Sequence, residues 1–213
     1  IQYMKHGVPQ GSILGPLLFL IFINDIVNVI PNLKVKLFAD DTNIFLFNKN
    51  LNLLFSEANK ALDKLSTWFS VNKLSINVDK THYCIFRKSG QKLNCDTQYP
   101  ELKLNNQIIK RVQSTKYLGI TIDELTTFKE HANNIANTLK KYCGIFYKFR
   151  TRLPSSCLKT IYFAMIHSHI NYGIAIYANT TDNHLDPLIK MNNKILRILQ
   201  NKSIKTPIEI LYK

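Results

Sequence analysis

Apolar positions change their spacing several times along the chain, and each change marks a different kind of element. Between Leu17 and Val29 they run almost without interruption, so this stretch is expected to form a buried helix. Ser12 suits its N-cap and Pro16 its first turn. From Lys34 to Phe47 the residues on either side of Asp40-Asp41 alternate or are densely apolar and aromatic. That pattern predicts two strands with the acidic pair at the turn between them. Leu51, Leu54, Ala58, Leu62, Leu65 and Phe69 then recur at helical spacing. Leu74, Ile76 and Val78 alternate as a strand would, as do Tyr83 and Ile85 after a turn near Asp79-Lys80. Residues 87–99 are polar and are the best candidate for disorder. Short strands are expected through Leu102–Leu104, Ile108–Val112 and Tyr117–Ile122, with Asn105-Asn106 as a hairpin turn.

Beyond Asp123 the period becomes helical. Phe128, Ala132, Ile135, Leu139, Cys143 and Phe146 form one stripe, and Pro154 opens a second helix carrying Leu158, Ile161, Met165 and His169. A third helix spans roughly Leu185–Leu199. Thr206-Pro207-Ile-Glu209 resembles a capping box that starts a fourth, which the end of the chain cuts short. The expected fold is therefore α+β: a mixed part over residues 1–123, followed by a helical part over residues 124–213. No internal repeat is visible.

Charge follows the same division. The 213 residues carry a net +14, unevenly: +1 over residues 1–50, +5 over 51–123 and +8 over 124–213. A basic second half points to a polyanionic partner, most economically nucleic acid, because each neutralised phosphate releases counterions. A merely soluble basic surface is the plainer explanation of composition alone. Cys84, Cys95, Cys143 and Cys157 are irregularly spaced with no Cys-x-x-Cys, so reduced thiols of an intracellular protein are expected. The apolar run Leu17–Ile23 is too short to span a bilayer, and no signal peptide reads at Ile1, so no membrane role is expected.

The Asp40-Asp41 pair invites a chemical explanation. Adjacent carboxylates repel, and an apolar setting raises the cost of ionising both. Most isolated Asp-Asp pairs are simply surface turns. The alternative is that divalent cations supply the compensating charge, since hard Mg²⁺ prefers one or two carboxylates together with substrate phosphates. Two such ions roughly 4 Å apart can activate an attacking 3′-hydroxyl and stabilise a leaving pyrophosphate. About 25 residues upstream, three of the chain's seven glycines fall within Gly7-Val-Pro-Gln-Gly-Ser-Ile-Leu-Gly-Pro16. Such a loop offers exposed backbone amides, and Pro9, Gln10, Gly11 and Ser12 are candidates to contact a nucleotide. Lys80, at the turn of the next strand pair, is either a pyrophosphate partner or an ordinary solvated lysine.

Together these segments resemble one known family. Gly7-Val-Pro-Gln-Gly-Ser-Ile-Leu-Gly-Pro-Leu-Leu-Phe19 and Leu37-Phe-Ala-Asp-Asp-Thr42 look like reverse transcriptase motifs B and C. Their wording, with Ile23-Asn-Asp25 after the first, is similar to non-LTR (LINE-type) retrotransposons of the jockey-like kind. Trp68, Asn72–Asn77 and Lys80-Thr81 look like motif D, and Tyr117-Leu-Gly-Ile-Thr-Ile-Asp123 looks like motif E, a hairpin that grips the primer. Tyr172-Gly173 and Pro207–Leu211 match the thumb-like region. The resemblance covers essentially the whole chain. It implies a partial right-hand polymerase palm, an antiparallel sheet with helices, followed by an α-helical thumb-like region.

The activity implied is RNA-templated DNA synthesis by two-metal nucleotidyl transfer to a primer 3′-hydroxyl. The cofactor would be two Mg²⁺ ions, with Mn²⁺ as a substitute. The partners would be an RNA template, a DNA primer (as an RNA–DNA hybrid) and deoxynucleoside triphosphates. Asp40 would be the firm metal ligand and Asp41 the weaker one, with Lys80 near the triphosphate. Pro9, Gln10, Gly11, Ser12, Phe38 and Ala39 would line the nucleotide. Tyr117, Leu118 and Gly119 would hold the primer terminus, and the basic helices after Glu124 would track the duplex backbone. Nuclear action follows by the same analogy. Members of the family carry a further metal-binding Asp in motif A, and fingers, upstream of motif B; neither lies within these residues. The isolated polypeptide is therefore expected to be inactive. The competing expectation is a nucleic-acid-binding remnant that keeps palm and thumb contacts without synthesis.

Overall fold

In the computed structural model, the described residues are 8–9, 11–90 and 99–212; Gln10 lies outside them, as does most of the polar loop expected over 87–99. Their contacts divide the chain into two compact units. The first runs to Tyr83 and takes in Tyr99 to Arg111. The second comprises Cys84–Gly90 and the residues from Val112 onward.

In the first unit, helix α1 (Leu14–Ile23) runs directly into a 3₁₀ segment, Asn24–Asn28. The buried helix expected here is corrected by the structure. Leu14, Leu17, Leu18, Leu20, Ile21 and Phe22 are all exposed, and only Ile23 of α1 is buried. A helix that is apolar all round cannot cover every face with one neighbouring layer. The side that finds cover lies at its C-terminal end, where Ile23, Ile26 and Ile30 form a core cluster with Ala61 and Leu65. The last two belong to α2 (Leu51–Val71). The α2 N-terminus is fixed by Asn50, whose side chain accepts from the amides of Asn52 and Leu53 at 2.9 and 3.4 Å. Val35, Leu37 and Ile44, from strands β1 (Lys34–Phe38) and β2 (Asp41–Phe45), pack against the same cluster.

The remaining strands are short: β3 (His82–Tyr83), β4 (Lys103–Leu104), β5 (Gln107–Ile108) and β6 (Lys110–Arg111). β4 and β5 make a hairpin whose turn residues Asn105 and Asn106 both have positive φ, 53° and 63°, as expected for an Asn-Asn turn. β3 and β6 pair in parallel. One continuous antiparallel sheet is therefore not what the described residues show; the strands form separate two-stranded pairs. The strand expected through Leu74, Ile76 and Val78 is also corrected. Asn77 accepts the Lys80 amide on its side chain at 3.2 Å and turns the chain into a 3₁₀ segment, Val78–Lys80. β4 is tied to α2 by Asn59, whose side chain donates to the Glu101 carbonyl at 2.9 Å and accepts from the Lys103 amide at 3.0 Å.

The second unit opens its ordered core with a hairpin, β7 (Ser114–Tyr117) and β8 (Ile120–Asp123). The single strand expected over Tyr117–Ile122 is thus a tight turn at Leu118-Gly119. The hairpin packs on α3 (Lys129–Phe149), so it folds with the helices although the change of sequence character comes later, at Asp123. α4 (Ser155–Tyr162), a π-helical turn over Phe163–His167, α5 (Ser168–Asn171) and α6 (Ile174–Tyr177) follow. α7 (Asp182–Leu199) lies along α3. Leu139, Phe146, Ile166, Tyr177 and Ile195 form the centre of this core, each essentially without solvent exposure. The last element, α8 (Ile208–Leu211), begins at Pro207 with no side-chain cap. The expected capping box does not form; the Thr206 carbonyl instead accepts from the Arg197 guanidinium at 2.9 Å.

Candidate active site

The acidic pair occupies the tip of the β1–β2 hairpin. Phe38 pairs with Asp41 in the ladder, which leaves Ala39 and Asp40 as a two-residue loop. Ala39 has a φ of 50°, a left-handed conformation that costs a residue with a Cβ about 1–2 kcal/mol. Register decides the face on which Asp41 lies. Val35, Leu37, Thr42 and Ile44 share the face that meets the core, so Lys36, Phe38, Asp41 and Asn43 share the other. Both carboxylates are exposed. Among the described residues neither makes an ion pair, with Lys80 or with any other cation.

In kind, this donor set suits a hard divalent ion, for which one or two carboxylates and substrate phosphates suffice. Among the described residues no third His, Cys, Asp or Glu joins the pair to make a larger ligand cluster.

The glycine-rich loop forms its own local turn. The Ser12 amide donates to the Pro9 carbonyl at 3.1 Å, with Gly11 at a φ of 83°. Nothing would obstruct a Cβ on Gly11, so the dihedral alone requires glycine. The Ser12 hydroxyl accepts from the Gly15 amide at 3.1 Å, the capping role expected of it at the start of α1. Lys80 is exposed at the end of its 3₁₀ segment. No hydrogen bond joins these groups to the acidic tip among the described residues. Phe38 to Asp41 are brought together by one hairpin; Pro9, Gly11, Ser12 and Lys80 stand on other elements of the same unit.

Tyr117, Leu118 and Gly119 belong to the second unit. Leu118 and Gly119 both have positive φ, 46° and 85°, giving a tight two-residue hairpin loop. Beside it lies a cleft of about 380 Å³ lined by Lys116, Gly119, Thr121, His131, His169 and Tyr172, among others. His131 is buried, its Nδ1 lies 3.3 Å from the Thr121 amide that donates to it, and its ring meets Tyr177 edge-on. Burial pushes its pKa down. Asp123, at the end of β8, accepts from the amides of Leu125, Thr127 and Phe128 and from the Thr127 hydroxyl. Burial alone would raise its pKa, but these hydrogen bonds outweigh it and hold the carboxyl below its ordinary value. Sequence reasoning passed over His131 as a site neighbour, because a lone histidine in an amphipathic stripe carries no signal of its own. Tyr172 is different: its pairing with Gly173 was visible.

No helix among the described residues is long and apolar enough to cross a membrane. No solved structure matches the chain. A family model described as reverse transcriptase (RNA-dependent DNA polymerase) matches residues 1–122. The RNA-directed DNA polymerase from mobile element jockey of Drosophila melanogaster is 30% identical over 96% of this chain and 22% of its own length. The probable RNA-directed DNA polymerase from transposon X-element of the same fly is 24% identical over 91% of this chain and 21% of its own. The jockey polymerase of Drosophila funebris is 24% identical over 92% and 22%. The chain thus spans about a fifth of the length of these curated relatives. The match of the family model, the hairpin carrying Phe38-Ala-Asp-Asp41 and the jockey relative agree: the chain belongs to the reverse transcriptase family.

Proposed function

We propose that these residues serve RNA-directed DNA synthesis in a non-LTR retrotransposon polymerase, residues 1–123 as part of its palm and the helices of residues 124–213 as its thumb-like region. The observation that carries the proposal is the acidic tip. Two adjacent carboxylates, free of ion pairs among the described residues, stand exposed on a hairpin whose other face is anchored in the core. That arrangement keeps both carboxylates open to a divalent cation, which could be shared with the phosphates of a substrate.

Asp40 would be the principal ligand of Mg²⁺ and Asp41 the weaker one. When bound, the ion supplies Lewis-acid stabilisation of the charge that develops on the attacking 3′-hydroxyl and the leaving pyrophosphate. Phe38 and Ala39 would flank the nucleotide, and the Pro9–Ser12 turn, with Gln10, would present amides to its base, sugar or phosphate. Lys80 would neutralise or protonate pyrophosphate. Tyr117, Leu118 and Gly119 would contact the primer terminus, and the basic helices would follow the phosphates of the RNA–DNA hybrid. Two carboxylates are one fewer than the family's metal site uses, so the 213-residue polypeptide by itself would bind duplex and not extend it.

Primer extension on an oligonucleotide-primed RNA template with Mg²⁺ or Mn²⁺ tests this. A polymerase that carries these residues should make product and lose it on Asp40→Ala. The isolated chain should make none. Robust synthesis by the isolated chain, lost on Asp40→Ala, would overturn the inactivity; synthesis indifferent to Asp40→Ala would overturn the site.

A further inference from the structure

The turn at Leu118-Gly119 is held from outside its own hairpin. Tyr172, 54 residues later, donates its hydroxyl hydrogen to the Leu118 carbonyl at 2.5 Å. Its ring lies against Gly119, where an added Cβ would come within 3.0 Å of Cε1 and 3.4 Å of the hydroxyl oxygen. The next residue, Gly173, has a φ of 70°, and a Cβ there would fall 2.4 Å from Cδ1 of Ile120, the first residue after the turn. Residues 172–173 and 118–120 therefore interlock at three points, two of them at glycines with positive φ where a side chain would be strained and crowded. The contact is made where the helical path breaks: α5 ends at Asn171, Tyr172 adopts extended backbone and α6 begins at Ile174.

Core packing does not explain Tyr172, which is 57% exposed, whereas Ile120 beside it is buried. A tyrosine kept for burial would point inward, as Tyr177 does. Here an exposed ring and its hydroxyl are spent on one backbone carbonyl of a turn that holds two left-handed residues in succession, one of them leucine. Left-handed backbone is strained for leucine, and it persists only where the surroundings hold it.

We infer that Tyr172, locked in place by Gly173, is a positioning residue that holds the Leu118–Gly119 turn in the conformation that meets the primer terminus. The inference rests on the primer-contact role given above to that turn. Tyr172 itself need not touch nucleic acid; it acts through the Leu118 carbonyl.

The test uses the full polymerase that carries these residues. Tyr172→Phe keeps the ring and removes only the hydroxyl, so thermal melting should be nearly unchanged. Amide exchange at Ile120, which closes the hairpin opposite Tyr117, should accelerate about 2- to 10-fold, the worth of one net hydrogen bond. Dissociation of a fluorescent DNA primer annealed to an RNA template should quicken by a similar factor, with the KM for deoxynucleotide unchanged. Wild-type exchange in Tyr172→Phe, or faster exchange with unchanged primer dissociation, would overturn the inference. Lys116→Glu, on the exposed surface of β7 next to the turn, examines the underlying role separately. Wild-type primer dissociation in that variant would overturn primer contact at the hairpin, and the exchange measurement would still report on the latch.

Discussion

The backbone amide of Phe128 donates to the Asp123 carboxylate at 2.7 Å, and Phe128 itself sits at a φ of 54°. Asp123 ends the hairpin strand β8 and Phe128 is the N-cap residue of α3, so one side chain ties the end of the strand to the start of the helix. It gathers three amides and a hydroxyl within five residues, over a loop in which Thr126 is also left-handed.

Removing that carboxylate should loosen the junction. Asp123→Ala is expected to cost about 2–3 kcal/mol, since hydrogen bonds to a charged acceptor exceed the neutral kind and the freed amides are part-buried. The folded-state pKa lies below the unfolded one. The contribution is therefore complete above the ordinary carboxylate range near pH 4 and fades as pH falls through the lower folded value. Urea unfolding at a series of acid pH values should show a steep acid limb in the wild type and a shallower one in Asp123→Ala. Equal limbs would refute this role.

His131 should add a second pH dependence, nearer neutrality. Burial depresses its pKa in the folded state, so the unfolded chain takes up a proton first. Stability should be complete above about pH 6.5, the unfolded value, and decline as pH falls below it. His131→Gln should remove that slope while keeping an acceptor for the Thr121 amide. A slope that survives in the variant would assign the titration to another group.

The amphipathic helices were legible because α2, α3 and α7 each bury one stripe, and a period of 3.6 survives in sequence. The acidic hairpin was legible too, since both flanks alternate around a polar pair. Other features were not, each for a physical reason. Three alternating apolar residues, Leu74, Ile76 and Val78, fit a strand equally well as a loop, and a single Asn77 side-chain hydrogen bond settled the matter locally. The continuous apolar run of α1 signals burial but does not say which faces find cover. At the candidate site, the alternation around Asp40-Asp41 gave the hairpin but placed its turn one residue late: the loop is Ala39-Asp40, with Ala39 left-handed and Asp41 already in the ladder. The Tyr172 contact joins residues 54 apart, a distance at which no periodicity carries information.

The two carboxylates at the acidic tip should differ in weight. Asp40 sits in the loop and Asp41 in the first ladder pair, opposite Phe38, so their freedom to turn toward an ion is unequal. In a polymerase carrying these residues, Asp40→Asn should lower primer extension by more than about 100-fold, beyond what loss of a supporting outer-shell partner costs. Asp41→Asn should have a smaller effect, and raised Mn²⁺ should partly restore it. Steady-state extension across a metal titration measures both. Equal losses, or a larger loss at Asp41, would reverse the assignment.

Duplex binding should be dominated by counterion release, and the second unit should carry much of it. Lys140, Lys141 and Lys148 are exposed along α3, and Arg150 stacks over the Tyr147 ring at 4.0 Å. Each lysine that neutralises a phosphate adds a little under one to the slope of log affinity against log salt, about 0.7 to 0.9. Charge removal by Lys140→Gln together with Lys141→Gln should then weaken binding to an RNA–DNA hybrid and lower the slope by up to about two. It should do so without altering sequence preference, because phosphate contacts position a duplex and carry no base information. Both side chains lie on the solvent face, so unfolding should be nearly unaffected. Fluorescence anisotropy between low and moderate salt gives the slope directly. An unchanged slope would remove α3 from the duplex-binding surface and leave its charge as an ordinary solvated face.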